Sequence, residues 1–253
     1  MPGPAGSATP IGALLAAAGN TTAFASVGRA YLDGNGGVFA SSTPGGTLYS
    51  VGAYTVNGDC TVSISLNDAF ATSGGAGLTP VQATATYQGV LVQDGNEIDL
   101  IQTGSTATSA LTLTKTQQSC SAGNVLSAFG ITATGASSAV VQSSTGTTTT
   151  TTTTPSNPAP FSIVGRFVAD GAGNLTTDGF GEASPLTSRE ITGAYTVNTD
   201  CTGTATLITS DGVKRGANFV IVTQGPNLTT GTQALEFAFT DSGVVGAGLA
   251  QQQ

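Results

Sequence analysis

Apolar and polar residues alternate with a period of two along most of this chain. Cys60, Val62, Ile64 and Leu66 fall on one side while Thr61, Ser63 and Ser65 fall on the other, the pattern of a strand with one face buried. On this reading Cys60 faces the core. Ala83, Ala85, Tyr87, Gly89 and Leu91 continue the alternation; Ile98 and Leu100 then point inward with Glu97 and Asp99 outward, and Ala110–Thr114 closes the series. Further strands are predicted over 201–208, 218–223, 234–240 and 244–250. Asp33-Gly-Asn-Gly36, Asp94-Gly-Asn96 and Asp170-Gly-Ala-Gly173 supply tight turns between apolar runs. No segment beyond the N-terminus has a helical period.

The alternation is written twice. Gly52-Ala-Tyr-Thr-Val-Asn-Gly-Asp-Cys-Thr61 returns as Gly193-Ala-Tyr-Thr-Val-Asn-Thr-Asp-Cys-Thr202 with one substitution in ten positions. Upstream of each copy, a Gly-Arg strand runs into an Asp-Gly turn: Val27-Gly-Arg29 before Asp33, and Val164-Gly-Arg166 before Asp170. Short strands in simple succession, repeated, predict an all-β chain of two tandem antiparallel up-and-down meander domains. Each closes into a barrel or strongly curled sheet, which removes exposed edges; a two-sheet β-sandwich is the alternative. The expected division is an N-terminal arm at 1–20, a first repeat at 21–118 and a second at 119–253, with a Thr/Pro-rich loop or linker at 135–160.

Charge changes the picture by what it removes. Only 8% of the 253 residues are charged, the net charge is -8, and there are six basic residues and no His. Such a chain lacks the electrostatic footprint of nucleic-acid binding. Without His, a Ser-His-Asp triad and most zinc sites are out of reach, and three Cys cannot build a Cys-only tetrahedral site. No metal, cofactor or catalytic residue is expected. No apolar run is long enough to span a membrane as a helix. The N-terminal stretch around Ile11-Gly-Ala-Leu-Leu15 resembles the apolar part of an export signal but no basic residue precedes it, so it is read as an arm or short helix.

Several constellations imitate chemistry. Asp33-Gly-Asn-Gly-Gly37 opens like a calcium loop, but no acid follows at the twelfth position and Ala172 breaks the pattern in the second copy. Glu97 and Asp99 share one strand face, where two carboxylates cannot flank a glycosidic bond; the second copy retains only Glu236. Arg29 with Asp59 and Arg166 with Asp200 recur, and a structural ion pair is expected of each. Asn20, Asn174 and Asn227 head glycosylation triplets. Thr147, Thr148, Thr149, Thr150, Thr151, Thr152, Thr153 and Thr154 form a tract followed by Pro155-Ser-Asn-Pro-Ala-Pro160, read as an extended spacer and a candidate for O-glycosylation. It either separates the domains or forms a long loop inside the second.

Cys120-Ser121 with Phe129-Gly130, then Gly165-Arg166-Phe167, Asp170-Gly-Ala-Gly173 and Gly193-Ala-Tyr-Thr-Val-Asn-Thr-Asp-Cys-Thr-Gly203, resembles a family of uncharacterised secreted bacterial proteins abundant in acidobacteria. The resemblance covers nearly all of 119–253 and implies a secreted β unit, with no activity attached. The first copy departs from it: no Cys precedes Phe24, and Val62 replaces the Gly that follows Cys-Thr. If the second copy is a whole unit, with 120–133 as its first strand, Cys120 and Cys201 are disulfide partners; the competing pairing is Cys60 with Cys120. Either way one copy is short of a Cys and a strand.

These features predict an extracellular structural or adhesive protein, not an enzyme, whose partners are other copies of itself, in a filament or surface array. Ile11, Leu14 and Leu15 are candidates for an arm that fills an open slot in a neighbour's sheet; the competing reading folds the arm into its own first domain, with Cys60 a buried thiol. The alternative function is a secreted β-barrel that holds a small hydrophobic ligand around Tyr87, Phe219, Phe237 and Phe239.

Overall fold

The computed structural model describes residues 5–9, 25, 27–43, 48–72, 78–81, 85–103, 109–117, 119–137, 142–145, 148–151, 159–183, 187–210, 214–224, 232–241 and 243–253. The fold is all-β and antiparallel. Its first part consists of β1 (Ala5–Thr9), β2 (Val27–Leu32), β3 (Gly37–Thr43), β4 (Leu48–Val56), β5 (Thr61–Thr72), β6 (Leu78–Val81), β7 (Ala85–Val92), β8 (Glu97–Thr103) and β9 (Ala110–Lys115). The second part has β10 (Ser127–Ser137), the hairpin β11 (Gln142–Thr145) and β12 (Thr148–Thr151), then β13 (Ala159–Ala169), β14 (Asn174–Ala183) and β15 (Thr187–Arg189). It ends with β16 (Ile191–Val197), β17 (Thr202–Thr209), β18 (Lys214–Gln224), β19 (Thr232–Phe239) and β20 (Val244–Gln252).

Hydrogen bonding runs β4-β3-β2-β1-β9-β8-β7-β5 and returns to β4, an eight-stranded ring with β6 attached to β5. The second sheet runs β13-β10-β20-β19-β18-β17-β16-β14 and returns to β13, with β15 on β14. The second barrel is fully closed, β10 matching β20 over nine residue pairs. The first is nearly closed: β1 meets β9 through Ser7–Lys115 and Ala8–Thr114 alone. The expected missing strand is therefore corrected. β1, a run of small residues with no alternation to mark it, takes the place that β10 holds in the second barrel, because β2 and β9 each offer an unpaired backbone edge. The slot is filled by the chain itself, and Ile11, Leu14 and Leu15 lie outside the described residues.

Inward residues fill both barrels. Ala30, Val38, Val62, Ile64, Ile98, Leu100 and Leu113 make the first core. The second is more aromatic: Phe129 stacks on Phe167 at 5.2 Å between ring centres, and Phe239 meets Phe161 and Phe237 edge-on. The repeated Asn-x-Asp-Cys-Thr segment is one turn built twice. Asp59 accepts from the Thr61 amide and hydroxyl at 3.0 and 2.7 Å, Asp200 does the same to Thr202 at 3.1 and 2.6 Å, and the Cys between takes φ of 65° or 68°.

The Thr tract falls in the connection between β10 and β13 of the second sheet. β10 and β13 are antiparallel neighbours, so everything between them is a connection inside that sheet and cannot separate the two domains. Thr148, Thr149, Thr150 and Thr151 form β12 and pair with β11, which corrects the spacer reading for those four; Thr147, Thr152, Thr153 and Thr154 lie outside the described residues.

Candidate functional site

The second barrel encloses an apolar cavity of about 60 Å³, bordered by Val125, Ile131, Tyr195, Phe219 and Phe237 among others. A cavity near 150 Å³ is what accommodates benzene, and drug-sized ligands occupy roughly 300 Å³ or more. Side chains have nearly filled this interior. Of the aromatic residues expected around a ligand, Phe219, Phe237 and Phe239 share this core, while Tyr87 packs against the core of the other barrel.

One end of the second barrel carries a lid. Cys120 and Cys201 are joined in a disulfide with Cα atoms 4.8 Å apart. Residues 122–125 then form a 3₁₀ turn, closed by a reciprocal Ser121–Asn124 cap, which drops Val125 into the barrel mouth at 1% exposure. Strand β10 starts only at Ser127, so the reading of 120–133 as one strand is corrected. The Tyr195 hydroxyl donates to the Ala122 carbonyl at 3.2 Å. The first barrel has no such lid among the described residues, and Cys60 is exposed. That corrects its placement in the core: it sits in the left-handed turn ahead of β5, and only a covering Cys120 buries its counterpart Cys201.

The remaining chemical candidates separate. Arg29 does not meet Asp59, nor Arg166 Asp200: each Asp serves its own turn, and the Arg166 Nε donates to Gln253 Oε1 at 3.0 Å. The expected ion pairs are thus corrected, because a threonine two residues away captures each carboxylate first. Asp33 and Asp170 accept amide hydrogens from two and four residues ahead, and Asn174 Nδ2 adds a bond to Asp170 at 2.6 Å, which holds Asp170 down at about 2. Asn20 and Asn227 lie outside the described residues. Among the described residues no group of three His, Cys, Asp or Glu gathers.

No family model, curated protein or solved structure matches this chain.

The two barrels also meet each other. Strand β18 runs against β1, β2 and β9 of the first barrel. Ala25 and Val27 pack onto Val220, Val222, Ala234 and Ala238, outward-facing residues of the second barrel that are 0–2% exposed. Glu236 sits in this wall at 7% exposure, and Thr114 Oγ1 of the first barrel donates to its Oε1 at 3.3 Å. Its Oε2, like the hydroxyls of Thr116 and Thr223, is buried with no hydrogen-bond partner among the described residues. Burial, with the charge of Glu97 adding to it, pushes Glu236 up to about 8, so the acid is protonated at neutral pH.

In the sequence Glu236 stands only as the remnant of a carboxylate pair. The available signal is the loss of alternation around it: Phe219-Val-Ile-Val222 and, apart from Glu236 itself, Ala234-Leu-Glu-Phe-Ala238 are apolar on both faces, the mark of strands covered on both sides.

Proposed function

We propose that this protein is an extracellular, non-enzymatic structural or adhesive protein that assembles with copies of itself through apolar contacts between barrel walls. The observation that carries this reading is the contact inside the chain: two sibling barrels already dock wall against wall over a Val/Ala surface. Few charged side chains stand to be desolvated at a contact between copies, and the disulfide suits an oxidising compartment. Light scattering and negative-stain microscopy of the oxidised protein over a concentration series test it. Oligomers growing with concentration and persisting in high salt are expected, since apolar contacts are not screened; a monomer throughout overturns the reading.

A second reading rests on the apolar lining of the cavity: a small hydrophobic ligand held in the second barrel. At about 60 Å³ it suits a molecule smaller than benzene unless the lid at 122–125 opens. Native mass spectrometry of protein taken directly from its source would show a bound mass if this reading holds.

A further inference from the structure

The two barrels are copies, so each residue in the contact between them has a counterpart elsewhere. Val27 and Val164 precede the same Gly-Arg pair on β2 and β13. Val90 and Val220 lie opposite Thr61 and Thr202, the first residues after the repeated Cys. The amide following each Val donates to that Cys carbonyl, at 2.8 Å in Leu91–Cys60 and 2.9 Å in Ile221–Cys201. From there the ladders match Asp99 to Glu236, and Ile101 to Ala238.

In the contact, Val27 is 2% exposed and Val220 and Ala238 are 0% and 2%. Their counterparts are bare: Val164 is 61% exposed, Val90 45% and Ile101 62%. The chain thus buries one copy of these three apolar positions and leaves the other exposed, on β13 of the second barrel and on the β7–β8 wall of the first; the match is partial, with Glu97 where the contact has Ala234 and Ser162 where it has Ala25. That wall bears a hollow of about 340 Å³, whose outward-facing border includes Gln88, Asp99, Ile101, Ala110 and Thr112. Isolated large apolar residues on a surface need no explanation. Three that coincide, position for position, with a contact already made in the same molecule do.

We propose that the β13 face of one chain, centred on Val164, docks on the β7–β8 wall of the next, centred on Val90 and Ile101, repeating between chains the contact that joins the barrels within one. This deepens the self-assembly reading and rests on it. The partner is a second copy because the face already accepts this wall: Val27 and Val220 are its occupied form. Within a barrel β9 and β1 separate β8 from β2, and β9 already borders the docked barrel, so the next chain lies beside that barrel, centred on β7 and β8. The contact is heterologous, so it propagates and does not close on a pair. Asp99, in the place of Glu236, falls opposite Gln251, the counterpart of Thr114, so a carboxylate faces an amide.

The test uses the full oxidised chain, wild type and two variants, Val164→Glu and Ile101→Glu, each a charge placed on a residue more than half exposed. Circular dichroism melts and the intact disulfide confirm folding, and sizes are read by native mass spectrometry and light scattering. The expected result is an oligomer ladder for wild type, loss of every species above monomer for either variant alone, and a 1:1 heterodimer with nothing larger when the variants are mixed. Each variant keeps the one face that the other lacks. Ladders that persist in both variants overturn this contact while leaving self-assembly standing. Monomeric variants that do not pair when mixed overturn the head-to-tail geometry, and a wild type that stays monomeric at every concentration overturns the contact and the self-assembly reading together.

Discussion

Val62 and Gly203 occupy the same inward position, and each is explained by the residue across the ladder. Val62 pairs with Gly89, and Gly203 pairs with Phe219. Large faces small in both barrels with the order exchanged, as close packing requires. A Cβ at Gly203 would collide with the Phe219 ring and the Thr196 carbonyl, and one at Gly89 with the Asp99 carbonyl. Gly203→Val should therefore destabilise the second barrel by about 1–3 kcal/mol through overpacking, and Phe219→Ala by about 3–5 kcal/mol through the void it leaves. Combined, the two should cost less than their sum, because the added methyls enter the vacated space. Denaturant midpoints of the two single variants and the double measure this; strict additivity would mean that the pair is not the reason for the exchange. The sequence displays Val62 as a departure from the pattern of the other copy, yet the compensating partner lies on a different strand, 27 residues away, and becomes visible only once the register is known.

Among the elements, those with alternation and a good turn were legible, and those shaped by a neighbour were not. The strands β5, β8 and β17 to β20 and the Asp-Gly turns follow from side-chain period and Asx chemistry that a short stretch contains within itself. β1 has no such content: Ala5-Gly-Ser-Ala-Thr9 is a strand because two backbone edges await it. The 3₁₀ turn at 122–125 reads as strand in the sequence because Val125, Leu126 and Phe129 are apolar; the Ser121–Asn124 cap bends the chain first. That turn and the disulfide act together as a lid, and the disulfide closes a loop of 81 residues. Breaking it with Cys201→Ser should cost about 2–4 kcal/mol on the usual scale for such loops. Cys60, exposed on the matching turn, should react with a thiol reagent in the native protein, while Cys120 and Cys201 react only after reduction. Mass spectrometry of the alkylated protein reads both, and protection of Cys60 in the dissociated monomer would contradict its placement.

At the scale of the molecule, the two barrels meet over a surface that is mostly apolar, with Glu236 and the Thr114 hydroxyl bonded to it buried there. Glu236 has its proton held by burial, with the Glu97 carboxylate opposing ionisation and Thr114 the only hydroxyl bonded to it among the described residues. In the unfolded chain the group ionises near the usual glutamate value of about 4.3, whereas in the folded chain it does so at about 8. Between those values the folded state holds one proton more than the unfolded state. The contribution is therefore complete below the lower value and is lost as pH rises toward the upper one, at up to about 1.4 kcal/mol per pH unit. Asp170, held down at about 2 by its turn, acts in the opposite sense and only in acid, its contribution fading as pH falls below about 4. Stability should consequently peak near pH 4–5 and decline through neutrality, which is unusual for a chain so rich in acid over base. Glu236→Gln keeps a hydrogen-bond acceptor for Thr114 and removes the titration, so its unfolding free energy should be nearly level from pH 5 to 8 and exceed that of wild type at pH 8. Denaturant unfolding at each pH, with small-angle scattering to follow the separation of the barrels, decides the matter: parallel profiles for the two proteins would mean that the wall tolerates the charged form, and that the contact between the barrels is wet where its residues look dry.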